Sequence, residues 1–261
     1  MEYCFQLYPQ ANIRYREALE RLGQKELLCI LRTIGIEAEV HTECLGGAAF
    51  LCFSADPPLS PLQLDRLSRH SALLMYCARE GELLRPLPVS PAEYLGSDLP
   101  EILKYKGKTS VPFTNMLITL AWCASAYFNE EAPVTLLDPV CGRGTALFCG
   151  LRRGMNAVGV DADGRDIGEA DAYLERYLQY GRLKFARRAS SRTVGGRGVP
   201  MVQYTLADTK AHYQAGDTRS LTLLTADTAA TGTLLKKEKA HILTADLPYG
   251  IQHAPVDGRR P

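Results

Sequence analysis

No Cys-x-x-Cys pair occurs among the eight cysteines Cys4, Cys29, Cys44, Cys52, Cys77, Cys123, Cys141 and Cys149. Several lie inside apolar runs, where a thiol packs as a small hydrophobe, so they read as reduced and the chain as cytoplasmic. An excess of charge is missing too. Lys and Arg total 30 against 29 Asp and Glu, and a net charge of +1 leaves only local patches to attract nucleic acid or a membrane. The opening "MEYCFQLYPQANIRYREALE" lacks a basic stretch followed by an apolar one, and the longest apolar run, "MLITLAWCASAYF", falls short of the roughly 20 residues of a membrane span. There is no solenoid-type repeat. His41, His70, His212, His241 and His253 are scattered without metal-ligand spacing, so no metal is assigned.

What is present is core material. With 46% apolar residues in 261, one large α/β domain or two modest ones can be built. "YCFQLY" alternates like a strand, and Leu27, Leu28, Leu31 and Ile34 recur at helical spacing before Gly35. "EAEVH" and "AAFLCFS" flank Gly46 and Gly47 as a hairpin. "SPLQLDRLSRH" opens a helix with a serine cap and a proline, and "ALLMYCARE" returns as a strand. This βαββαβ order predicts a ferredoxin-like α+β unit over residues 1–88, followed by a proline-rich linker over 89–104.

Beyond the linker the texture changes. "VTLLDPV", "NAVGVDAD", "LTLLTADT" and "HILTADLPYG" are apolar runs, as expected of strands buried on both faces of a parallel sheet, and each ends in an acid. In "LLDPVCGRGTALFCG", Gly142 and Gly144 let the backbone approach a ligand, and Thr145 opens a helix whose free amides face the same space. Asp161 stands nineteen residues past Gly142, where a carboxylate suits ribose hydroxyls. A nicotinamide-binding Rossmann domain shares these features, but Leu147 stands where its third glycine belongs. Asp138, which can hold an ammonium group, has no task beside a pyrophosphate, so a nucleoside carrying an amino acid fits better.

In this order, "DPVCGRGT", "GVDAD", "LTADT" and "ADLPYG" resemble the class I S-adenosyl-L-methionine-dependent methyltransferases. "KYKGKTSVPFTNMLITLA" further resembles the segment preceding the catalytic domain in the family that methylates guanine N2 in tRNA, carried here by Tyr105, Gly107, Thr109 and Ser110. The resemblance implies a Rossmann-like methyltransferase sheet over 105–261 that holds S-adenosyl-L-methionine. Asp138, Gly142 and Gly144 would surround its methionine part, Asp161 would meet its ribose, and Asp227 with Thr228 its adenine. Thr109, Ser110, Cys141, Thr145 and Ala162 are further expected cofactor-binding residues. The family's sheet has seven strands, and the eight residues "APVDGRRP" after His253 leave the domain incomplete, so a truncated chain is expected. No THUMP module fits between residues 90 and 104, which weakens tRNA as substrate but leaves the methyl chemistry intact.

The resemblance places catalysis at Asp246, Leu247, Pro248 and Tyr249, where the family commonly has Asp-Pro-Pro-Tyr. An exocyclic amine on a base is a poor nucleophile, because its lone pair is delocalised into the ring. Asp246 and a backbone carbonyl of Leu247 or Pro248 can accept its two N–H groups and stabilise the positive charge that grows there. Tyr249 offers a stacking face worth ~1–3 kcal/mol. Arg182, Lys184, Arg187, Arg188, Arg192 and Arg197 form an acid-free segment expected to be unstructured when free and to order along RNA phosphates, with Lys104, Lys106 and Lys108 extending the track. The same acid-proline-aromatic arrangement also suits adenine N6 in DNA or a protein amide, and a non-catalytic RNA-binding protein retaining the fold is the rival from another class.

Overall fold

The computed structural model describes residues 1–8, 13–89, 93–103, 105, 108–236 and 239–247. Among them the chain forms a mixed α/β structure with two sheets and eight α-helices. It divides into two compact units: residues 1–92 with 115–131, and residues 93–114 with 132–261. No helix of the described residues is long and apolar enough to cross a membrane.

The first unit contains β1 (Glu2–Leu7), α1 (Ile13–Thr33), β2 (His41–Leu45), β3 (Ala48–Ser54), α2 (Pro61–Leu67), β4 (Leu73–Glu80) and β5 (Leu83–Pro86). Its sheet is antiparallel in the order β2-β3-β1-β4-β5. Tyr3, Phe5, Leu51, Phe53 and Tyr76 are buried on one face. Both helices lie on that face: Gly23 of α1 abuts the Leu7 side chain, and the Tyr76 hydroxyl donates to the Leu64 carbonyl of α2 at 3.0 Å. The α2 start is capped as the sequence predicts, with Ser60 and Gln63 forming a reciprocal capping box.

Three details depart from the sequence expectations. The strand before Gly46 is His41–Leu45 rather than "EAEVH" at 37–41. Gly46 and Gly47 both take positive φ (58° and 85°), so the two-residue turn pairs Leu45 directly with Ala48 and the strand runs right up to it. Just before the expected linker, Leu83–Pro86 adds a fifth strand, its proline at the sheet's edge. Residues 115–131, read from sequence as part of the second region, cluster with the first. The Arg69 guanidinium lies 4.0 Å from the Trp122 ring centre and donates to the Phe128 carbonyl at 2.7 Å, while Arg66 donates to that of Asn129 at 2.9 Å.

The second unit begins with α3 (Leu99–Ile102) and the start of α4 (Val111–Cys123). It continues through β6 (Thr135–Asp138), α5 (Thr145–Arg152), β7 (Asn156–Asp161), α6 (Gly164–Tyr180), β8 (Lys184–Val194), β9 (Arg197–Ala207), α7 (Lys210–Ala215), β10 (Arg219–Thr225), α8 (Thr231–Leu234) and β11 (Ile242–Leu243). Strand order is β11-β6-β7-β10-β9-β8. The first four are parallel, and β9 runs antiparallel to both of its neighbours, β10 and β8. Leu147, Leu151, Ile167, Leu174 and Leu178 of α5 and α6 pack with Ala157, Leu221 and Leu223 of the sheet, while Leu234 and Leu235 pack with Leu137, Val160 and Leu224. β6, β7 and β10 are thus covered on both sides, as their composition requires, while β11, last in the strand order, buries Ile242 and leaves Leu243 exposed.

The arginine-rich stretch is a correction. Residues 184–207 form a long hairpin, not an unstructured loop. Gly195 and Gly196 take φ of 56° and 78°, the mirror-image turn that matches strand twist, so this pair of glycines was a hairpin signal.

Candidate functional site

β6 is flanked by β7 on one side and β11 on the other, although β7 follows it in sequence and β11 comes last. The chain therefore passes from β6 to one side, while β11 joins on the other, and the place beyond the carboxyl ends of these two strands is the usual ligand position in a doubly wound sheet. Asp138 and Asp161 close β6 and β7, while Asp227 and Asp246 follow β10 and β11 by two and three residues. The four acids expected to share a rim do so.

Asp138 is buried at 6% exposure and accepts the Val140 N–H at 3.1 Å. Burial pushes its carboxyl up to about 7, and the carboxylates of Asp161 and Asp246 add to the effect. Asp161 is half-buried and takes the Gly142 N–H at 2.7 Å on one oxygen and the Asp163 N–H at 2.9 Å on the other. The glycine turn is thereby tied to the end of the neighbouring strand. Gly142 and Gly144 need their freedom, with φ of 50° and 85°. Gly144 caps α5, and a Cβ there would stand 3.2 Å from Phe148.

The Cys141 side chain turns away from the rim. Its thiol is buried against Gly159, where an added Cβ would lie 2.8 Å from the sulfur, and burial raises it well above the ordinary thiol range. Thr145, also buried, shares a 3.0 Å hydrogen bond with the Tyr105 hydroxyl. Arg143 was not singled out by sequence, yet it lies 4.6 Å from the Tyr105 ring centre and pairs with Asp166 and Glu169, both at 2.9 Å. It pins the turn from outside; its signal was its place between the two glycines.

Asp227 is exposed and caps a single 3-10 turn, Thr228–Ala230, by accepting the Ala229 N–H at 2.8 Å. The Thr228 hydroxyl donates to the Pro139 carbonyl at 2.6 Å, joining the ends of β10 and β6. Ala162 is exposed, and so is Ser110, whose carbonyl takes the Thr114 N–H of α4 at 2.9 Å. Thr109 donates its hydroxyl to Asp246 Oδ2 at 2.6 Å. Leu247 is 54% exposed. Pro248 and Tyr249 lie outside the described residues, as do Lys104, Lys106 and Gly107.

The basic residues separate into groups. Arg187 grips Asp171 with two hydrogen bonds, 2.9 and 2.5 Å, and faces α6. Arg192 donates to the Leu234 carbonyl at 2.5 Å. Arg182, Lys184 and Arg188 are exposed. The Arg197 side chain lies outside the described residues. Chemically, the rim offers carboxylate acceptors and a side-chain-free turn, suited to a ligand rich in hydroxyl, ammonium and amine donors.

No protein-family model matches this chain, and no curated protein matches it in sequence.

Proposed function

We propose that the chain is an S-adenosyl-L-methionine-dependent N-methyltransferase acting on an exocyclic amine of a nucleobase in RNA, with guanine N2 in tRNA as the first target to test. One observation carries the reading: Asp138, Asp161, Asp227 and Asp246 end four adjacent parallel strands ordered β10-β7-β6-β11, around one switch point. That order agrees with strands 3-2-1-4 of a Rossmann-like sheet, with β6 as its first strand. The order β2-β3-β1-β4 in the other unit agrees with a ferredoxin-like companion.

The residues present fit the cofactor. Gly142 and Gly144 give the turn a positive-φ backbone without side chains, which lets the main chain pass close to a ligand. Each Asp161 oxygen accepts one backbone N–H and keeps a lone pair for a ribose hydroxyl. Asp138 would hold the ammonium, and Asp227 with Thr228 would border the adenine. When bound, the cofactor supplies an electrophilic methyl on a sulfonium. Asp246 accepts an N–H of the substrate amine on the oxygen left open by Thr109, fixing the nitrogen and stabilising its developing charge. Leu247 and Pro248 would offer the second acceptor through a backbone carbonyl, and Tyr249 the stacking face.

Two measurements test this. Calorimetric titration with S-adenosylhomocysteine should show tight binding to the wild type and at least tenfold weaker binding to Asp161→Ala; equal affinities remove the ribose assignment. Radiolabelled cofactor offered with RNA, DNA and protein pools should label RNA, and Asp246→Ala should abolish the labelling. Label in DNA or protein instead reassigns the acceptor, and RNA binding without cofactor affinity favours a non-catalytic protein.

A further inference from the structure

The face of the first sheet turned away from α1 and α2 carries a set of donors that sequence spacing hides. Residues directly opposite in paired strands point to the same face. The register pairs His41 with Cys52, Cys52 with Cys4, and Cys4 with Cys77, so one imidazole and three thiols form a row across four strands. Glu43, two residues beyond His41, and Glu2, two before Cys4, share that face. The donor atoms of Glu2, His41, Glu43 and Cys52 all lie within 4.8 Å of one another.

We propose that Glu2, His41, Glu43 and Cys52 form a tetrahedral binding site for a divalent transition metal of the zinc class. One nitrogen, one sulfur and two carboxylate oxygens are donors that such an ion accepts. Bonds of about 2.0–2.3 Å put tetrahedral neighbours roughly 3.3–3.8 Å apart, so the set closes by about 1 Å, within the reach of glutamate side-chain rotations. Three of the donors need little search. Cys52 is fully buried, and Arg79 already draws the carboxylates together, with Nη1 2.9 Å from Glu43 and 3.5 Å from Glu2. His41, at 59% side-chain exposure, is the ligand free to swing in and the path by which an ion enters.

Burial and the hydrogen bond with the Cys4 thiol push Cys52 up to about 12, so its sulfur carries a proton at neutral pH. On binding, the S–H bond breaks, the proton leaves to solvent and the electron pair forms the metal–sulfur bond. A divalent ion, two carboxylates, one thiolate and Arg79 then sum to zero net charge, which removes the cost of an uncompensated charge in a half-buried place. This site is independent of the methyltransferase reading.

Cobalt(II) chloride titrated into the full chain should produce a thiolate-to-cobalt charge-transfer band that saturates at one ion per chain and is displaced by zinc. Cys52→Ser should abolish the band, while Cys4→Ser and Cys44→Ser, which alter a neighbouring and an exposed thiol, should retain it. Should Cys52→Ser fail to fold, His41→Ala carries the test, since an exposed side chain can be removed without opening the core; zinc affinity should fall at least tenfold. Absence of a band in the wild type, persistence of the band in Cys52→Ser, or unchanged zinc affinity in His41→Ala overturns the proposal.

Discussion

Thr109 and Asp246, 137 positions apart, meet in a 2.6 Å hydrogen bond in which the threonine hydroxyl donates to Oδ2. Sequence resemblance put Thr109 beside the cofactor; its observed partner is the acid proposed to receive the substrate amine. A carboxylate held on one oxygen is fixed in rotation and presents its other oxygen in one direction. Thr109 is therefore a positioning residue. Thr109→Val should lower kcat for methyl transfer by roughly ten- to a hundredfold, as expected for a misplaced acceptor. S-adenosylhomocysteine affinity should be unchanged, and Thr109→Ser should restore most of kcat. A loss of cofactor affinity in Thr109→Val with kcat intact would return Thr109 to the cofactor.

Asp138 sets a pH dependence of stability. Its carboxyl sits at about 7 in the folded chain against an ordinary 3.8, because burial and two neighbouring carboxylates oppose ionisation. The folded state thus holds a proton that the unfolded state has lost across this window. Its stabilising contribution is complete below the unfolded value and is lost as pH rises through 7. Asp138→Asn, which keeps an oxygen for the Val140 N–H, should be more stable than wild type at pH 8. The gap should exceed that at pH 5 by on the order of 2 kcal/mol. Urea unfolding at the two pH values measures it, and parallel curves for both proteins would contradict the assignment.

Gly159 lies inside β7, beneath the glycine turn. A Cβ there would come within 2.4 Å of Leu147 and 2.8 Å of the Cys141 sulfur, both buried. Neither side chain has space to retreat, so Gly159→Ala should destabilise the chain by ~1–3 kcal/mol. Because Cys141 carries the turn, cofactor affinity should fall as well. A melting temperature within error of wild type would show that α5 shifts without cost.

The strands that end in Asp138, Asp161 and Thr225 were legible because burial on both faces demands an unbroken apolar run, and the acids marked where each run meets solvent; the strand that ends in Leu243 carries the same kind of run although Leu243 is exposed. The β8–β9 hairpin was not. Seven of the eleven β8 residues are exposed, so its charged and hydroxyl side chains carry no core periodicity; only Gly195-Gly196 announced it. Thr109 with Asp246, and His41 with Cys52 and Glu2, are products of topology alone. Their partners arrive from different elements, and no local spacing encodes them.

Arg187 and Arg188 are neighbours with opposite duties. Burial pulls the Asp171 carboxyl upward, but hydrogen bonds from Arg187 and Tyr204 outweigh it and hold it below the usual range. Arg187→Ala leaves that half-buried carboxylate with one partner fewer and should cost ~1–3 kcal/mol at neutral pH. The wild-type advantage is present above the ordinary carboxylate range and disappears as pH falls through the depressed value, so the two proteins should converge in acid. Arg188 projects from the opposite face of β8 and is exposed. Arg188→Ala should leave stability within ~0.5 kcal/mol, weaken RNA binding without regard to sequence, and reduce the slope of log affinity against log salt by about 1. Filter binding of bulk tRNA across a salt series distinguishes the two. Equal RNA affinity and slope in wild type and Arg188→Ala would mean that the exposed basic side chains of this strand serve only to blunt a sheet edge.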